Sequence, residues 1–154
     1  MEALEAIYHR HAIREFTQQM PDRQVIQSLI NAAIQAPSAM NLQPWAFAVI
    51  RGRKSLTGMS DRAKAHLLKT MLTESALAAY RDHLADPAFD IFYGAPVLII
   101  VCATSAAPGA SEDCALAAQT LMLAAHASGL GTCWIGFARP WLNEAEAKEE
   151  LGLP

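Results

Sequence analysis

Cysteine is scarce in this chain of 154 residues: there are three, an odd number. Cys102, Cys114 and Cys133 are far apart and each lies in an apolar segment, which argues against a disulfide framework and for reduced core thiols in a cytoplasmic protein. Clustered metal ligands are also lacking, since neither CxxC nor HExxH occurs and His9 and His11 stand apart from any cysteine pair; a metal site is not expected. Charged residues make up only 18% of the chain and leave a net charge of −3, so there is no global attraction to nucleic acid. The locally basic stretch of Arg51, Arg53, Lys54, Arg62, Lys64 and Lys69 has no accompanying aromatic platform and is read as a solvated helical surface. No apolar run reaches membrane-spanning length: the longest candidate, Ala115 to Gly131, is interrupted by Gln119, Thr120, His126 and Ser128. Met1 to Arg10 carries Glu2 and Glu5 and no apolar core of a leader, so no secretory signal is expected. Ser38 lacks the flanking glycines of GxSxG, and Trp134 stands where GxGxxG would need its third glycine, so neither a hydrolase elbow nor a Rossmann fingerprint is present.

What the chain has in quantity is apolar residues, 53% of the total, enough for a proper core in one domain across residues 1–154, with a surplus that points to a subunit interface. A short helix is expected over Glu2 to His9, with Leu4, Ile7 and Tyr8 on one face. A second, opened by Pro21 and Asp22, carries Val25, Ile26, Leu29, Ile30, Ala33 and Ile34 at helical spacing and ends at Pro37 and Ser38. Trp45 to Ile50 is a bounded apolar run suited to a strand, followed by helical segments over Ser55 to Leu72 and Thr73 to Ala85. Val97 to Val101 is β-branched without alternation, as in a strand buried on both faces. A long apolar helix is expected over Ser111 to Ser128, capped by Ser111 and stopped by Gly129, then a third strand over Thr132 to Phe137 and a last helix over Trp141 to Leu151. Helices separating three short strands describe a compact mixed domain.

Two segments carry candidate chemistry. Arg10, His11 and Arg14 place two guanidinium groups and an imidazole within five residues at a helix exit, a set suited to a phosphate or to an anion forming beside it. Surface charges at a helix end explain the same residues. In Ala36 to Trp45, Ser38, Asn41 and Gln43 offer hydroxyl and amide groups in a loop stiffened by Pro37 and Pro44, although ordinary turn chemistry uses the same residues.

RHAIREF, APSAMNLQPW and LMLAAHASGLGTCWIGF (Leu121 to Phe137), in that order and spacing, resemble the nitroreductase family of flavin oxidoreductases. The resemblance runs from about Leu4 to Leu153 and is weakest over Arg51 to Asp90. It implies an α+β fold, a mixed sheet flanked by helices, in a homodimer that binds flavin mononucleotide (FMN). Carried over residue by residue, it implies that Arg10, His11 and Arg14 hold the phosphate, ribityl chain and pyrimidine edge, with Ala12 contacting through its backbone where serine is common. Pro37, Ser38, Asn41 and Gln43 would reach across the dimer, and Cys133, Trp134, Ile135 and Gly136 would line the flavin ring, Cys133 without a nucleophilic role. Typical members continue past the position of Pro154 with a further strand and a phosphate-binding Arg or Lys. The activity implied is electron transfer from NADH or NADPH to nitro compounds, quinones or related small acceptors in a ping-pong cycle, with no catalytic side chain because the flavin does the chemistry. A flavin-binding or structural dimer without efficient turnover is the alternative.

Overall fold

The computed structural model describes residues 2–70 and 78–154. Two antiparallel strands, β1 (Trp45–Arg51) and β2 (Val97–Ala103), pair in full register from Trp45 opposite Ala103 to Arg51 opposite Val97. Both faces of this ribbon are covered. Ala48, Ile50, Leu98, Ile100 and Cys102 pack into one core with α3 (Arg53–Thr70), while Trp45, Phe47 and Ile99 pack into another. The second core is built by α2 (Arg23–Ala33), through Leu29 and Ala33, and the long apolar helix, through Ala117, Leu121 and Ala125. Those last three recur every four residues, and the small alanines let the two helices approach closely.

Around this frame α1 (Ala3–His9) precedes the sheet and α4 (Arg81–Ala85) follows α3; α5 (Ala110–Ala127) is the long apolar helix, and α6 (Arg139–Leu142) and α7 (Ala145–Leu151) close the chain. Of the expected apolar face of α1, Leu4 is 64% exposed and Tyr8 77% exposed, while Ala6 turns inward. Among the described residues no helix is long and apolar enough to cross a membrane.

Three expectations need correction. Thr132 to Phe137 is not a strand: Thr132 forms one isolated parallel bridge to Ala12, and Ile135 and Phe137 spend their apolar side chains on the core beside α3 instead of on a strand ladder. The cap of α5 is Gly109, whose left-handed φ of 86° ends the preceding turn, and Ser111 lies inside the helix with its hydroxyl on the Glu112 carboxylate. The last helix is broken at Asn143 and Glu144, where the N–H groups fold back on Arg139, Pro140 and Trp141. Of the expected helices between the strands, residues 71–77 lie outside the described residues; η2 (Ala78–Tyr80) is a single 3-10 turn leading into α4.

Candidate functional site

The arginine-bearing segment leaves α1 in extended conformation at Arg10. His11 Nδ1 donates to the His9 carbonyl at 3.0 Å, and Ile13 N–H donates to the Thr132 carbonyl at 2.9 Å. The Ala12 to Thr132 bridge therefore lays Arg10 to Arg14 alongside Thr132 to Gly136, two stretches more than a hundred residues apart in sequence. Among the described residues, nothing accepts a hydrogen bond from the main-chain N–H groups of Trp134, Ile135 or Gly136, so these donors remain available.

Beside this junction opens a cleft of about 360 Å³. Arg14 and the run Cys133 to Phe137 form one side, and Trp134 is 58% exposed there. The other side is aromatic. The Phe89 ring meets His83 at 3.9 Å, Tyr93 at 5.9 Å and Phe137 at 6.5 Å between centroids, the last two edge to face, and Tyr80 meets Phe137 at 5.7 Å. The Arg14 guanidinium lies 5.9 Å from the Tyr93 ring centre. Arg10 and His11 flank this cleft in sequence but do not line it. Tyr80, His83, Phe89 and Tyr93 escaped sequence reasoning, and Phe137 was read only as the end of a motif and strand; the signal was the clustering of aromatics in a chain with few.

The aromatic side is set by the turn before β2, which α3 holds from below. Lys64, only 5% exposed, donates to the carbonyls of Asp86 (3.2 Å) and Phe89 (2.6 Å), and the buried Ser60 hydroxyl accepts from Ile91 N–H at 3.1 Å. The Asp90 carboxylate accepts from Phe92 N–H and Gly94 N–H at 2.9 and 3.0 Å, and Arg53 donates twice to the Gly94 carbonyl. Together these bonds support Tyr93 in a left-handed conformation, φ 55°. The basic stretch is thus not simply a solvated surface: Lys64 is buried, Arg51 donates to the Pro21 carbonyl, and Arg62 pairs with Glu150 and lies over the Trp141 ring.

Pro37, Ser38, Asn41 and Gln43 lie in a separate loop that does not reach the cleft of their own chain. Met40, Asn41 and Gln43 all have positive φ, at 50°, 56° and 48°, a costly run for residues with side chains. The loop is fastened at several points: Ser38 Oγ accepts from Gln43 N–H at 2.9 Å, Gln43 Nε2 donates to Asn41 Oδ1 at 3.0 Å, and Pro44 carbonyl accepts from Thr104 N–H. Ala39 N–H donates to both oxygens of Asp113, at 3.1 and 3.3 Å. Asp113 was missed by sequence reasoning because an acid in the first turn of a helix reads as a dipole charge.

All three cysteines are free. Burial pushes the Cys102 thiol up, against the opposing charge of Lys148, and burial also raises Cys114, helped by Cys102 and Asp113.

Residues 7–154 match the model of the nitroreductase family. A protein of Methanothermobacter thermautotrophicus, provisionally named NADH dehydrogenase/NAD(P)H nitroreductase, is 33% identical over 88% of this chain and 61% of its own length, so the chain spans about three-fifths of that relative. A similarly named protein of Archaeoglobus fulgidus is 31% identical over 99% of this chain and 78% of its own. Among solved structures, a nitroreductase with bound FMN from Bacteroides fragilis superposes with a TM-score of 0.86 at 25% identity, over all of this chain and 81% of the other. One from Desulfitobacterium hafniense, also with FMN, gives 0.81 at 30% identity, over 99% and 81%. The α+β fold is that of these proteins, and the chain belongs to the nitroreductase family.

Proposed function

We propose that the chain is a single FMN-binding domain of a cytoplasmic homodimer that transfers electrons from NADH or NADPH to nitro compounds, quinones or related small acceptors. The observation that carries this reading is the Ala12 to Thr132 bridge, which brings Arg14 and Cys133 to Gly136 to the same cleft. The donor set fits FMN. Arg10, His11 and Arg14 would hold the phosphate, ribityl chain and pyrimidine edge, with the Ala12 backbone beside them, and Cys133, Trp134, Ile135 and Gly136 would line the ring. Gly136 has no positive φ, and among the described residues other than its chain neighbours no atom lies within 4 Å of where its Cβ would stand. Neither backbone strain nor crowding within the chain calls for glycine there, whereas a flat ring lying against it would.

When bound, FMN supplies the hydride-accepting and hydride-donating chemistry, so no titrating side chain is required. The chain orients the reactants: with the FMN ring against Cys133 to Gly136, the aromatic side of the cleft would leave one face of the ring open to a second planar molecule. Nicotinamide and acceptor would then occupy that face in turn, which is the ping-pong order. Relatives named for NAD(P)H and for 4-nitrobenzoate reduction support this choice of reactants.

Dimerisation is supported by the exposed apolar side chains of α1 and by Met40 and Leu42 at the loop tip. Pro37, Ser38, Asn41 and Gln43, remote from the cleft of their own chain, would complete the site of the partner. Titrating the protein with FMN while following flavin fluorescence and sedimentation tests the reading: saturable quenching by a dimer is expected, and a monomer that takes up no FMN contradicts it.

A further inference from the structure

Asp113 is 5% exposed, yet it lies 74 residues from the N–H it serves. It stands in the first turn of α5, where free helix N–H groups favour a negative charge, and its two oxygens share the single proton of Ala39. Ala39 immediately precedes the left-handed residues Met40 and Asn41, and left-handed Gln43 follows after Leu42. The Asp113 carboxylate is the charged tie of this loop to the helical frame; among the described residues the other fastenings include the Ser38 and Asn41 contacts and the Leu42 to Ala39 backbone bond inside the loop, and the Pro44 contacts at its far end. Met40, at 88% exposed, makes no compensating packing.

We propose that Asp113 is a positioning residue for the cofactor: by holding Ala39 N–H it keeps the 37–43 loop in its strained shape, with the Asn41 and Gln43 amides set to meet FMN. This rests on the assignment of that loop to the FMN site. Asp113 touches no cofactor atom itself; it acts through the Ala39 backbone.

The test is a double-mutant cycle read in FMN affinity. Asp113→Ala removes the acceptor, and Ala39→Pro removes the donor. Proline fits at position 39, since Ser38 is extended (φ −140°, ψ 151°) and Ala39 opens a 3-10 turn, η1 (Ala39–Asn41), without positive φ. Each change should weaken FMN binding roughly tenfold, as expected for loss of a hydrogen bond to a charged group, and the two together should weaken it no more than either alone. Asp113→Asn, which keeps the volume and one acceptor oxygen, should fall between wild type and Asp113→Ala. A purely structural role would lower the thermal midpoint and leave FMN affinity intact; that result, or additive losses in the cycle, overturns the proposal. Arg14→Ala is the control for the site itself. If it weakens FMN while Asp113→Ala does not, only the positioning role fails; if the wild type binds no FMN, the site assignment fails and the proposal with it.

Discussion

Gly131 lies flush against Ile13: a Cβ on Gly131 would stand 2.9 Å from Ile13 Cγ1 and 3.0 Å from Cβ and Cγ2. Three atoms of a branched, partly buried side chain cannot all retreat, so the close approach fixes the spacing of the two stretches that meet at Ala12 and Thr132. Gly131→Ala should cost about 1–3 kcal/mol in urea denaturation, as overpacking does. Adding Ile13→Ala should recover part of that loss. No recovery would show that the two residues do not oppose each other.

Lys64 offers a second measure of how the cleft is built. Lys64→Met keeps the stem but leaves the Asp86 and Phe89 carbonyls without their buried donor, at a cost of about 1–3 kcal/mol. The near-ultraviolet dichroism of the aromatic side should change with it, because the Phe89 and Tyr93 rings pack together on that turn. An unchanged denaturation midpoint would remove Lys64 from the support of the cleft.

Stability should fall on the alkaline side. Cys102 and Cys114 both titrate above the ordinary value of 9.0 when folded, because burial disfavours the thiolate. Above that value the folded chain holds protons that the unfolded chain has lost, so this contribution is complete below about pH 9 and is lost as pH rises through the folded values. Urea midpoints at about pH 8 and about pH 10.5 should differ more in the wild type than in the Cys102→Ala/Cys114→Ala double variant. Equal slopes would contradict the assignment.

Arg14 lies over Tyr93 and is the one member of the Arg10, His11 and Arg14 set that lines the cleft. Arg14→Ala should weaken FMN binding roughly tenfold, the loss expected for one charge-assisted contact. Fluorescence titration measures it. Unchanged affinity would place the cofactor's polar edge elsewhere.

Strands β1 and β2 were legible because their apolar runs are bounded and their side chains fill two covered faces, a pattern visible without knowing the partner. Thr132 to Phe137 has the same composition, but a strand also needs a neighbouring backbone, and its apolar residues find a core without one. Similarly, the start of α5 was decided by the backbone turn at Gly109, which side-chain capping statistics at Ser111 do not see. At the site, Arg14 and Cys133 to Gly136 line one cleft although they lie far apart in sequence. Asp113 and Lys64 did not stand out, because each works through main-chain groups distant in sequence. Most of the aromatic side was hidden in or just past the stretch with the weakest family likeness, where Phe89 and Tyr93 gain meaning only through the turn that presents them.

The most direct test of the central claim is anaerobic titration of the FMN-loaded dimer with NADH and, separately, NADPH, followed by flavin absorbance. Bleaching of the oxidised band by at least one of them, and its return when a nitroaromatic or quinone is added, is the expected result. Bound flavin that neither nicotinamide bleaches would contradict the account and leave a flavin-binding protein without turnover.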